Sequence, residues 1–401
     1  MTPAERAAKY IPSGVQTYSK APSRYPEGAP QFIARATGAY VVDVGGREYL
    51  DYVSGLGAII LGHQDPDVDN AVRDQLNRGI CFPTATDIEG ELAELLCSII
   101  PCAEMVRFAK NGVDATSAAV RIAKAFTGRE SIVSMGYHGY ADWTVAWQNP
   151  KGVPGDCRAH LIEVPYGNLR LLEKALYPFQ TRSDPACLIM EPVVNADPIL
   201  PPDGYLQGVR DLCTEYGVIL IFDELVTGFR MHIGGAQTLY DVTPDLACFG
   251  KAMANGYPLS AVLGRRDLMN LLDEGVFFST TFGGEALSLA ASLATIRKLQ
   301  ATDALTGPGS IKVYGESLTT MYHELRDKHG LTDATEIVGY PQRPVARWRD
   351  ERQSAIFGKV MVANGMLFQG YFNLTWAMGT DEMVATVRAM DAGFKAVKDA
   401  S

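Results

Sequence analysis

One short apolar run, and the two acids that end it, constrain the fold of this chain most strongly. Residues 218–222 are rich in β-branched side chains, and Asp223 and Glu224 follow them directly. Such a run is typical of a strand that is buried on both faces, as in a parallel sheet. Because open α/β sheets bind their ligands beyond the carboxyl ends of the strands, the sequence places Asp223 at a potential ligand site.

A second apolar stretch ends at a lysine. Residues 246–250 lead into Lys251, and small residues follow at 252–256. An acid and a lysine at two strand ends are the pair that pyridoxal phosphate (PLP) requires, since the lysine forms the Schiff base and the acid keeps the pyridinium nitrogen protonated. Most lysines are solvated surface groups, so these two residues alone leave a purely structural interpretation open.

The amino-acid composition limits the classes of protein to which this chain can belong. The 401 residues, 47% hydrophobic and 20% charged, suit a soluble globular chain of two or three domains. The net charge of -10 argues against nucleic acid or an anionic membrane as a partner. With no apolar run near the roughly 18 residues of a membrane span and no signal-peptide pattern, we expect a cytoplasmic protein. The seven cysteines lack C-x-x-C spacing, which favours reduced thiols over a metal site or disulfides.

A glycine turn joins a predicted strand to a predicted helix near residue 111. The strand covers residues 106–109, the turn contains Asn111 and Gly112, and the helix covers residues 116–126. Unpaired N–H groups and the helix dipole make such a helix N-terminus a site for anions. Many α/β connections share this pattern, so by itself it is a weak indication.

Two more predicted strands end near polar or aromatic residues. Residues 131–135 precede Tyr137 and His138, and residues 187–190 precede Glu191. A tyrosine just beyond a strand can lie flat on a cofactor ring, although such a tyrosine more commonly packs. His138 taken alone favours a structural role over a catalytic one.

The order of predicted elements indicates an α/β fold. Strands alternate with helices from about residue 106 to 265, which predicts a mostly parallel sheet with helices on both faces. Before it, residues 40–50 predict a hairpin around Gly45 and Gly46. Further helices are predicted at 67–77, 89–99, 205–216 and 285–299, and residues 300–401 suit a smaller α/β lobe.

Taken together, these stretches resemble the class III (ω-aminotransferase-like) fold-type I PLP-dependent enzymes, in the branch around glutamate-1-semialdehyde 2,1-aminomutase. The resemblance runs from about residue 14 to 299. Its most specific part is Asp-Glu-Leu-Val-Thr-Gly-Phe-Arg at 223–230, followed by Pro-Asp-Leu at 244–246 and Gly-Lys at 250–251. Asp51-Tyr52, Leu61-Gly62-His63 and Glu191-Pro192-Val193 add support.

The resemblance implies an architecture. It implies a large PLP-binding domain at 49–299, with a mostly parallel sheet of the seven-stranded type flanked by helices. A smaller α/β domain would comprise residues 300–401, with residues 1–48 as an N-terminal segment contributing to it. It also implies a homodimer with shared active sites, acting on a small-molecule amino donor and a carbonyl acceptor.

The resemblance also implies residue roles. Lys251 would carry PLP and move the proton, Asp223 would pair with the pyridine nitrogen, and Thr281 would reach the phosphate held by the neighbouring subunit. Tyr137 and Leu225 would cover the two ring faces. Val113 stands where the family has a threonine in its Ser-Gly-Thr phosphate turn. The implied cofactor-binding residues are Asn111, Gly112, Val113, Tyr137, His138, Glu191, Asp223, Leu225, Lys251 and Thr281, and no metal ligand is implied.

Departures from the aminomutase pattern concern the substrate. The pattern Asn-Ser-Pro-Val-Arg is replaced by the segment from Gln16 to Lys20, and Ser-Trp-Gly-Pro by the segment around Leu56. A lysine does not replace the bidentate fork of an arginine, and the loss of tryptophan enlarges the pocket. Ala196 lies near the place of a gating glutamate in ornithine-type relatives. Gln16, Lys20 and Leu56 are therefore candidate substrate residues for another aldehyde or ketone, such as a sugar-derived or secondary-metabolite carbonyl.

Four functions remain open at this stage. An aminotransferase needs an external amino donor, whereas an aminomutase moves nitrogen within one molecule. A racemase or epimerase would use the same lysine without net exchange between the aldehyde and amine forms of the cofactor. A non-enzymatic scaffold would tolerate damage to Asp223 and Lys251, and both residues are intact. The sequence favours the aminotransferase.

Overall fold

The structure is a computed structural model that describes residues 1–177, 181, 183–195 and 198–400. The chain forms two compact units. The first comprises Met1–Pro66 and Leu299–Ser401, and the second comprises Asp67–Lys298. The assignment of domains to 1–48, 49–299 and 300–401 stays a prediction.

The strands carry the framework of both units. In chain order they are β1 (Ile33–Thr37), β2 (Tyr40–Asp43), β3 (Glu48–Asp51), β4 (Met105–Ala109), β5 (Ser131–Met135), β6 (Leu161–Glu163), β7 (Pro185–Met190), β8 (Ile219–Asp223), β9 (Leu246–Phe249), β10 (Ser260–Gly264), β11 (Thr335–Tyr340), β12 (Arg343–Trp348) and β13 (Met366–Leu367).

Helices connect most of these strands. They are α1 (Pro3–Tyr10), α2 (Ser54–Gly57), α3 (Pro66–Leu76), α4 (Asp87–Ile99), α5 (Gly112–Thr127), α6 (Asp142–Val145), α7 (Gly155–Ala159), α8 (Leu169–Leu176), α9 (Tyr205–Tyr216), α10 (Ala236–Leu239), α11 (Arg266–Met269), α12 (Ala286–Thr302), α13 (Ile311–Lys328), α14 (Glu351–Ala363) and α15 (Thr380–Ala400). Short 3-10 helices lie at Pro12–Gly14, Tyr18–Lys20, Pro22–Arg24, Lys251–Ala254 and Asn270–Leu272. Among the described residues, no helix is long and apolar enough to cross a membrane.

The second unit is built on a seven-stranded sheet in the order β4-β10-β9-β8-β7-β5-β6. The strands β9, β8, β7, β5 and β6 pair in parallel, whereas β10 is antiparallel to both of its neighbours. Every residue of β5, β7, β8, β9 and β10 is buried. The predicted mostly parallel sheet is thereby confirmed, and its apolar central strands follow from burial on both faces.

Helix α5 packs its small side chains against this sheet. Its buried positions are mainly alanines, among them Ala115, Ala119 and Ala123, which allow a close approach to the apolar strands. The helix begins at Gly112, earlier than the predicted 116, because the Asp114 carboxylate accepts the backbone N–H of Asn111 at 2.8 Å. Such a capping interaction satisfies a donor that the first turn leaves unpaired.

The first unit contains a four-stranded sheet, β1-β2-β3-β13, with the predicted hairpin at β2 and β3. Two of the motifs that carry the family resemblance, Asp51-Tyr52 and Leu61-Gly62-His63, contact each other in this unit. Asp51 is buried, accepts the N–H groups of Val53 and Ser54 at 2.9 Å each, and lies 3.0 Å from His63 Nε2. These motifs therefore build the turn after β3.

Candidate active site

The carboxylate of Asp223 lies at the end of β8, opposite Cys248 of β9. It is buried, and both of its oxygens have partners in the second unit. Oδ1 accepts the Leu225 N–H at 3.1 Å, and Oδ2 lies 2.8 Å from Nδ1 of the buried His138. The side chain is therefore fixed from two sides at the strand end where the sequence predicts a ligand.

The surroundings of His138 fix the position of one hydrogen on its ring. Its Nε2 lies 3.2 Å from the carbonyl oxygen of Met135, which can only accept a hydrogen bond, so Nε2 carries a hydrogen. Its Nδ1 then either donates to Asp223 or accepts from a protonated Asp223. In both arrangements the His138–Asp223 pair holds one proton between its two facing atoms.

A second acid, Glu191, is buried close to this pair. Its Oε1 accepts from Asn195 Nδ2 at 2.9 Å. Burial, reinforced by the Asp223 charge, raises the pKa of Glu191, so it binds a proton more readily than an exposed glutamate. A Cβ on Gly136 would lie 2.9 Å from Glu191 Oε2, so the turn before Tyr137 approaches this carboxyl as closely as glycine permits.

Lys251 follows β9 in a left-handed backbone conformation, with φ of 47°. It begins the 3-10 helix Lys251–Ala254 and is half-buried. The side chain of Leu225 lies beside Gly250, the residue before Lys251, because a Cβ on Gly250 would stand 2.8 Å from Leu225 Cδ2. Non-glycine residues seldom adopt positive φ, and they persist there where the surroundings fix them, often at functional sites.

Leu225 also contacts the predicted phosphate turn. A Cβ on Gly112 would lie 2.5 Å from Leu225 Cδ1, so the start of α5, Leu225 and Gly250 are close neighbours. On the other side, Val113 lies against Gly139, where an added Cβ would be 2.8 Å from Val113 Cβ. The structure thus brings the helix N-terminus to the Asp223 and Lys251 strand ends.

Two hydroxyl groups hold this arrangement, and the sequence did not reveal either. Ser260 Oγ donates to the Asn111 carbonyl at 2.7 Å, and Thr116 Oγ1 donates to the His138 carbonyl at 2.9 Å. Ser260 begins β10, which pairs with β4 at Ala109. Only the sheet order brings Ser260 to residue 111, so no local pattern could have indicated it.

The close contact at Gly112 predicts a stability effect. We expect Gly112→Ala to lower the free energy of unfolding by about 1–3 kcal/mol, because the new methyl group overlaps the Leu225 side chain. Gly90→Ala is the matched control: Gly90 lies within α4, and a Cβ there meets nothing within 4 Å. That substitution should stabilise by roughly 0.5–1 kcal/mol. Urea unfolding of both variants measures the difference, and equal midpoints would contradict the packing argument.

Tyr137 and Thr281 expose their side chains in this chain. Tyr137 is 66% exposed, and Thr281 lies in the loop before α12. A half-buried ion pair anchors the helix beyond this loop, with Lys110 Nζ 2.9 Å from Glu285 Oε2. Burial acts to raise the pKa of Glu285, but the hydrogen bonds from Lys110 and Ser288 outweigh it and hold that pKa below its usual value.

The candidate substrate residues all belong to the first unit. Gln16 and Lys20 are exposed in the N-terminal segment, and Lys20 ends the 3-10 helix Tyr18–Lys20. Leu56 packs against the apolar cluster of Val41 and Tyr49 with a φ of 62°. Ala196 lies outside the described residues.

The residues of the second unit fit PLP in their chemistry. Asp223 supplies a carboxylate for a pyridinium N–H, Lys251 an amine for an aldehyde, and the α5 N-terminus backbone donors for a phosphate. The two glycines that Leu225 approaches, Gly112 and Gly250, leave no room for larger side chains between these groups. A flat ring with an anionic substituent suits such a set of donors.

Residues 23–331 match the protein family "Aminotransferase class-III". The chain belongs to the class III aminotransferases. It is 41% identical over 311 residues to a glutamate-1-semialdehyde 2,1-aminomutase of Methanothrix thermoacetophila, which covers 74% of this chain and 71% of that protein.

Solved structures agree with the family. The FumI protein of Sphingopyxis sp. MTA144, in its PLP internal aldimine form, superposes with a TM-score of 0.91 at 28% identity and covers 98% of this chain and 95% of its own. An ω-transaminase from Sphaerobacter thermophilus gives a TM-score of 0.88 at 27% identity, covering 98% and 97%. The predicted family, fold class, cofactor and PLP-dependent aminotransferase activity of this class III aminotransferase are confirmed.

Proposed function

We propose that this class III aminotransferase moves an amino group from a small-molecule donor to an aldehyde or ketone, with Lys251 and Asp223 as its catalytic residues. The observation that carries the proposal is the adjacency of β8 and β9, which brings the Asp223 carboxylate and the Lys251 segment to one edge of the sheet. The net charge of -10 argues against nucleic acid or an anionic membrane as a partner, and the proposal places the reaction on small molecules in the cytoplasm.

The residues divide the work between binding and proton transfer. PLP, when bound, supplies an electron sink for the bond that breaks at the amino-bearing carbon. Asp223 is held by His138 and the Leu225 N–H, and its carboxylate would keep a proton on the pyridine nitrogen. Lys251 would take the proton from that carbon on its Nζ and could give it back, as a positioned amine can. The start of α5 would bind the phosphate, and Tyr137 and Leu225 would cover the ring.

Donor dependence tests the proposal. The purified holoenzyme is loaded with PLP, its absorbance is followed with an amino donor alone, and a carbonyl acceptor is then added. We expect the donor alone to convert the cofactor to its amine form. The acceptor should then restore the aldehyde form. Racemisation of the donor without either change would refute the aminotransferase in favour of a racemase or epimerase.

The second candidate is an aminomutase, which the 41% identity to glutamate-1-semialdehyde 2,1-aminomutase favours. The departures at Lys20 and Leu56 weigh against glutamate semialdehyde as the substrate, since a lysine lacks the planar fork for a carboxylate. An aminomutase would convert its substrate without any added donor. The same donor test therefore separates the two candidates.

Our proposal includes a homodimer in which Thr281 reaches the phosphate bound by the partner subunit. Val113 offers no hydroxyl at the turn, so the phosphate depends more on other donors. We expect Thr281→Ala to weaken PLP retention by roughly tenfold or more, since a hydrogen bond to a charged group is worth about 1.5–3 kcal/mol. PLP should also stabilise the dimer by linkage.

Thr280→Ala is the matched control for this prediction, being the neighbouring threonine of the same loop. PLP titrations of both variants, with sedimentation velocity of the wild type with and without PLP, measure the effect. Unchanged PLP affinity in Thr281→Ala, or an active wild-type monomer, would refute the shared site. A simple cap on α12 would instead cost about 1 kcal/mol of stability and leave PLP affinity unchanged.

A further inference from the structure

One helix, α5, contacts both of the residues that hold the Asp223 carboxylate. The Leu225 N–H donates to Asp223 Oδ1, and the Leu225 side chain lies against Gly112, where α5 begins. His138 faces Asp223 Oδ2, and the Thr116 hydroxyl of α5 donates to the His138 carbonyl oxygen at 2.9 Å. Residues at i and i+4 of a helix lie on the same face, so Gly112 and Thr116 make these two contacts from neighbouring turns of one helix face.

Thr116 is fully buried, and its hydroxyl has two acceptors within reach. The carbonyl oxygen of His138 lies 2.9 Å from Oγ1, and that of Val113, one turn back in α5, lies 3.3 Å from it. A hydroxyl has one hydrogen to donate, and the shorter distance favours the bond to His138. That bond leaves the helix and joins α5 to the turn that follows β5.

The turn that carries His138 has little stiffness of its own. It is flanked by Gly136 and Gly139, which have φ angles of 107° and 113°. Because glycine adopts many backbone conformations at little cost, contacts with other elements must fix the turn. Helix α5 supplies such contacts: beside the bond to the His138 carbonyl, Ser117 Oγ of the same helix accepts from Trp143 Nε1 at 3.0 Å.

The orientation of the His138 ring depends on where this turn holds its backbone. Nε2 lies 3.2 Å from the Met135 carbonyl oxygen, and Nδ1 lies 2.8 Å from Asp223 Oδ2. Hydrogen bonds weaken steeply as they bend, so a small shift of the backbone would weaken the bonds at both ends of the ring. The Asp223 carboxylate would then be held firmly from one side, by the Leu225 N–H.

We propose that Thr116 is a positioning residue, which acts through His138 to hold the Asp223 carboxylate at a fixed place relative to the start of α5. The inference rests on the proposed function, in which this carboxylate keeps a proton on the pyridine nitrogen and the start of α5 binds the phosphate. PLP carries its nitrogen and its phosphate arm on one flat ring, so the groups that bind them must keep a matching separation. A single helix that contacts both partners of Asp223 maintains that separation.

Three substitutions at residue 116 test this role in the PLP-loaded holoenzyme. Thr116→Val keeps the shape of the side chain without its hydroxyl, Thr116→Ala removes the hydroxyl with a residue that favours helices, and Thr116→Ser keeps the hydroxyl. Thr295→Val is the matched control, since Thr295 is a fully buried threonine of α12 whose hydroxyl donates to the Ala291 carbonyl of the same helix at 2.7 Å.

Four quantities are measured for each protein: kcat, the dissociation constant of PLP, the urea midpoint and the ¹⁵N chemical shifts of the His138 ring. The chain has six histidines, so histidine-selective labelling gives few signals, and His138→Gln assigns the pair that belongs to His138. The ring shifts report the hydrogen bonds of Nδ1 and Nε2 directly and do not depend on turnover.

We expect Thr116→Val and Thr116→Ala to lower kcat about tenfold and to move the ring signals of His138, because the ring loses its fixed orientation. Thr116→Ser should restore the wild-type ring signals and a kcat within about threefold of the wild type. PLP should still bind to all variants, because the N–H donors of α5 remain. Thr295→Val should lower the urea midpoint and leave kcat and the His138 signals unchanged.

A kcat of Thr116→Val within about threefold of the wild type, with unmoved His138 signals, would overturn the inference. So would Thr116→Ser if it were as impaired as Thr116→Val, because the hydroxyl would then not be the group that matters. If Thr116→Val does not fold, Thr116→Ala against Thr116→Ser decides by the same criteria. A wild type whose cofactor does not respond to an amino donor would refute the proposed function instead, and the His138 signals would still decide the role of Thr116.

Discussion

Replacing Lys251 with alanine is expected to abolish aminotransfer, with a loss of at least about 10⁴-fold, because in our proposal this one amine both holds the cofactor and moves the proton. The fold should survive. Lys251 already adopts a φ of 47°, which alanine meets at the same steric cost, and the 3-10 helix that it begins is a backbone feature. Thermal unfolding of the variant compares its stability with that of the wild type.

Borohydride reduction separates this role from a structural one. In the wild type, mass spectrometry should find the reduced pyridoxyl group on Lys251, and in Lys251→Ala on no lysine. Lys110→Ala is the matched control: it removes a lysine of the same unit that pairs with Glu285, and labelling at Lys251 should persist. A pyridoxyl group on any other lysine of the wild type would contradict the assignment of Lys251 as the Schiff-base lysine.

The sequence predicted those parts of the site that follow from local pattern. The apolar runs at residues 218–222 and 246–250 predict buried strands. A residue at the carboxyl end of a parallel strand lies at the edge of the sheet where ligands bind. Asp223 and Lys251 could therefore be named as candidates without coordinates, and the family resemblance gave them their proposed roles. The Asn111–Gly112 turn could be predicted in the same way, because the strand, the glycine and the helix lie within ten or so residues of one another in the sequence.

The remainder depends on contacts between distant parts of the chain. The place of β10 between β4 and β9 is not contained in any local run, and it alone brings Ser260 to Asn111. The left-handed backbone at Lys251 results from its surroundings rather than from a residue preference. Arg343 meets Asn373 only because β12 pairs with residues 370–372, so the spacing of the two residues in the sequence could not indicate this contact.

The pair of Asp223 and His138 shows how the structure adds chemistry to a pattern. Taken alone, His138 favoured a structural role, and its bond to the Met135 carbonyl at 3.2 Å agrees with that. The same bond forces the hydrogen onto Nε2 and leaves Nδ1 to face the carboxylate. A structural contact on one side of the ring thereby determines how a proton is shared on the other side, next to the proposed cofactor site.

Asp223→Asn should lower kcat at least about 100-fold, which corresponds to about 2.7 kcal/mol of barrier, while the protein stays folded and keeps PLP. The amide has the shape of the carboxylate. Its oxygen can accept the Leu225 N–H, and its Nδ2 can donate to His138 Nδ1, which the Nε2 tautomer leaves as an acceptor. In our proposal the carboxylate holds a proton on the pyridine nitrogen, which the amide cannot do, so the electron sink would weaken.

Glu224→Gln, one residue along the chain, is the matched control. Glu224 is fully buried and accepts the N–H groups of Ala236 and Gln237 at 2.8 and 3.0 Å. An amide nitrogen facing one of these donors should cost about 1–3 kcal/mol of stability and leave kcat of the folded enzyme unchanged. Steady-state kinetics and urea unfolding therefore separate the two adjacent carboxyls. Asp223→Asn should lose kcat and stay folded, whereas Glu224→Gln should lose stability and keep its kcat. A kcat of Asp223→Asn within about threefold of the wild type, well under 1 kcal/mol, would show that another group protonates the ring nitrogen.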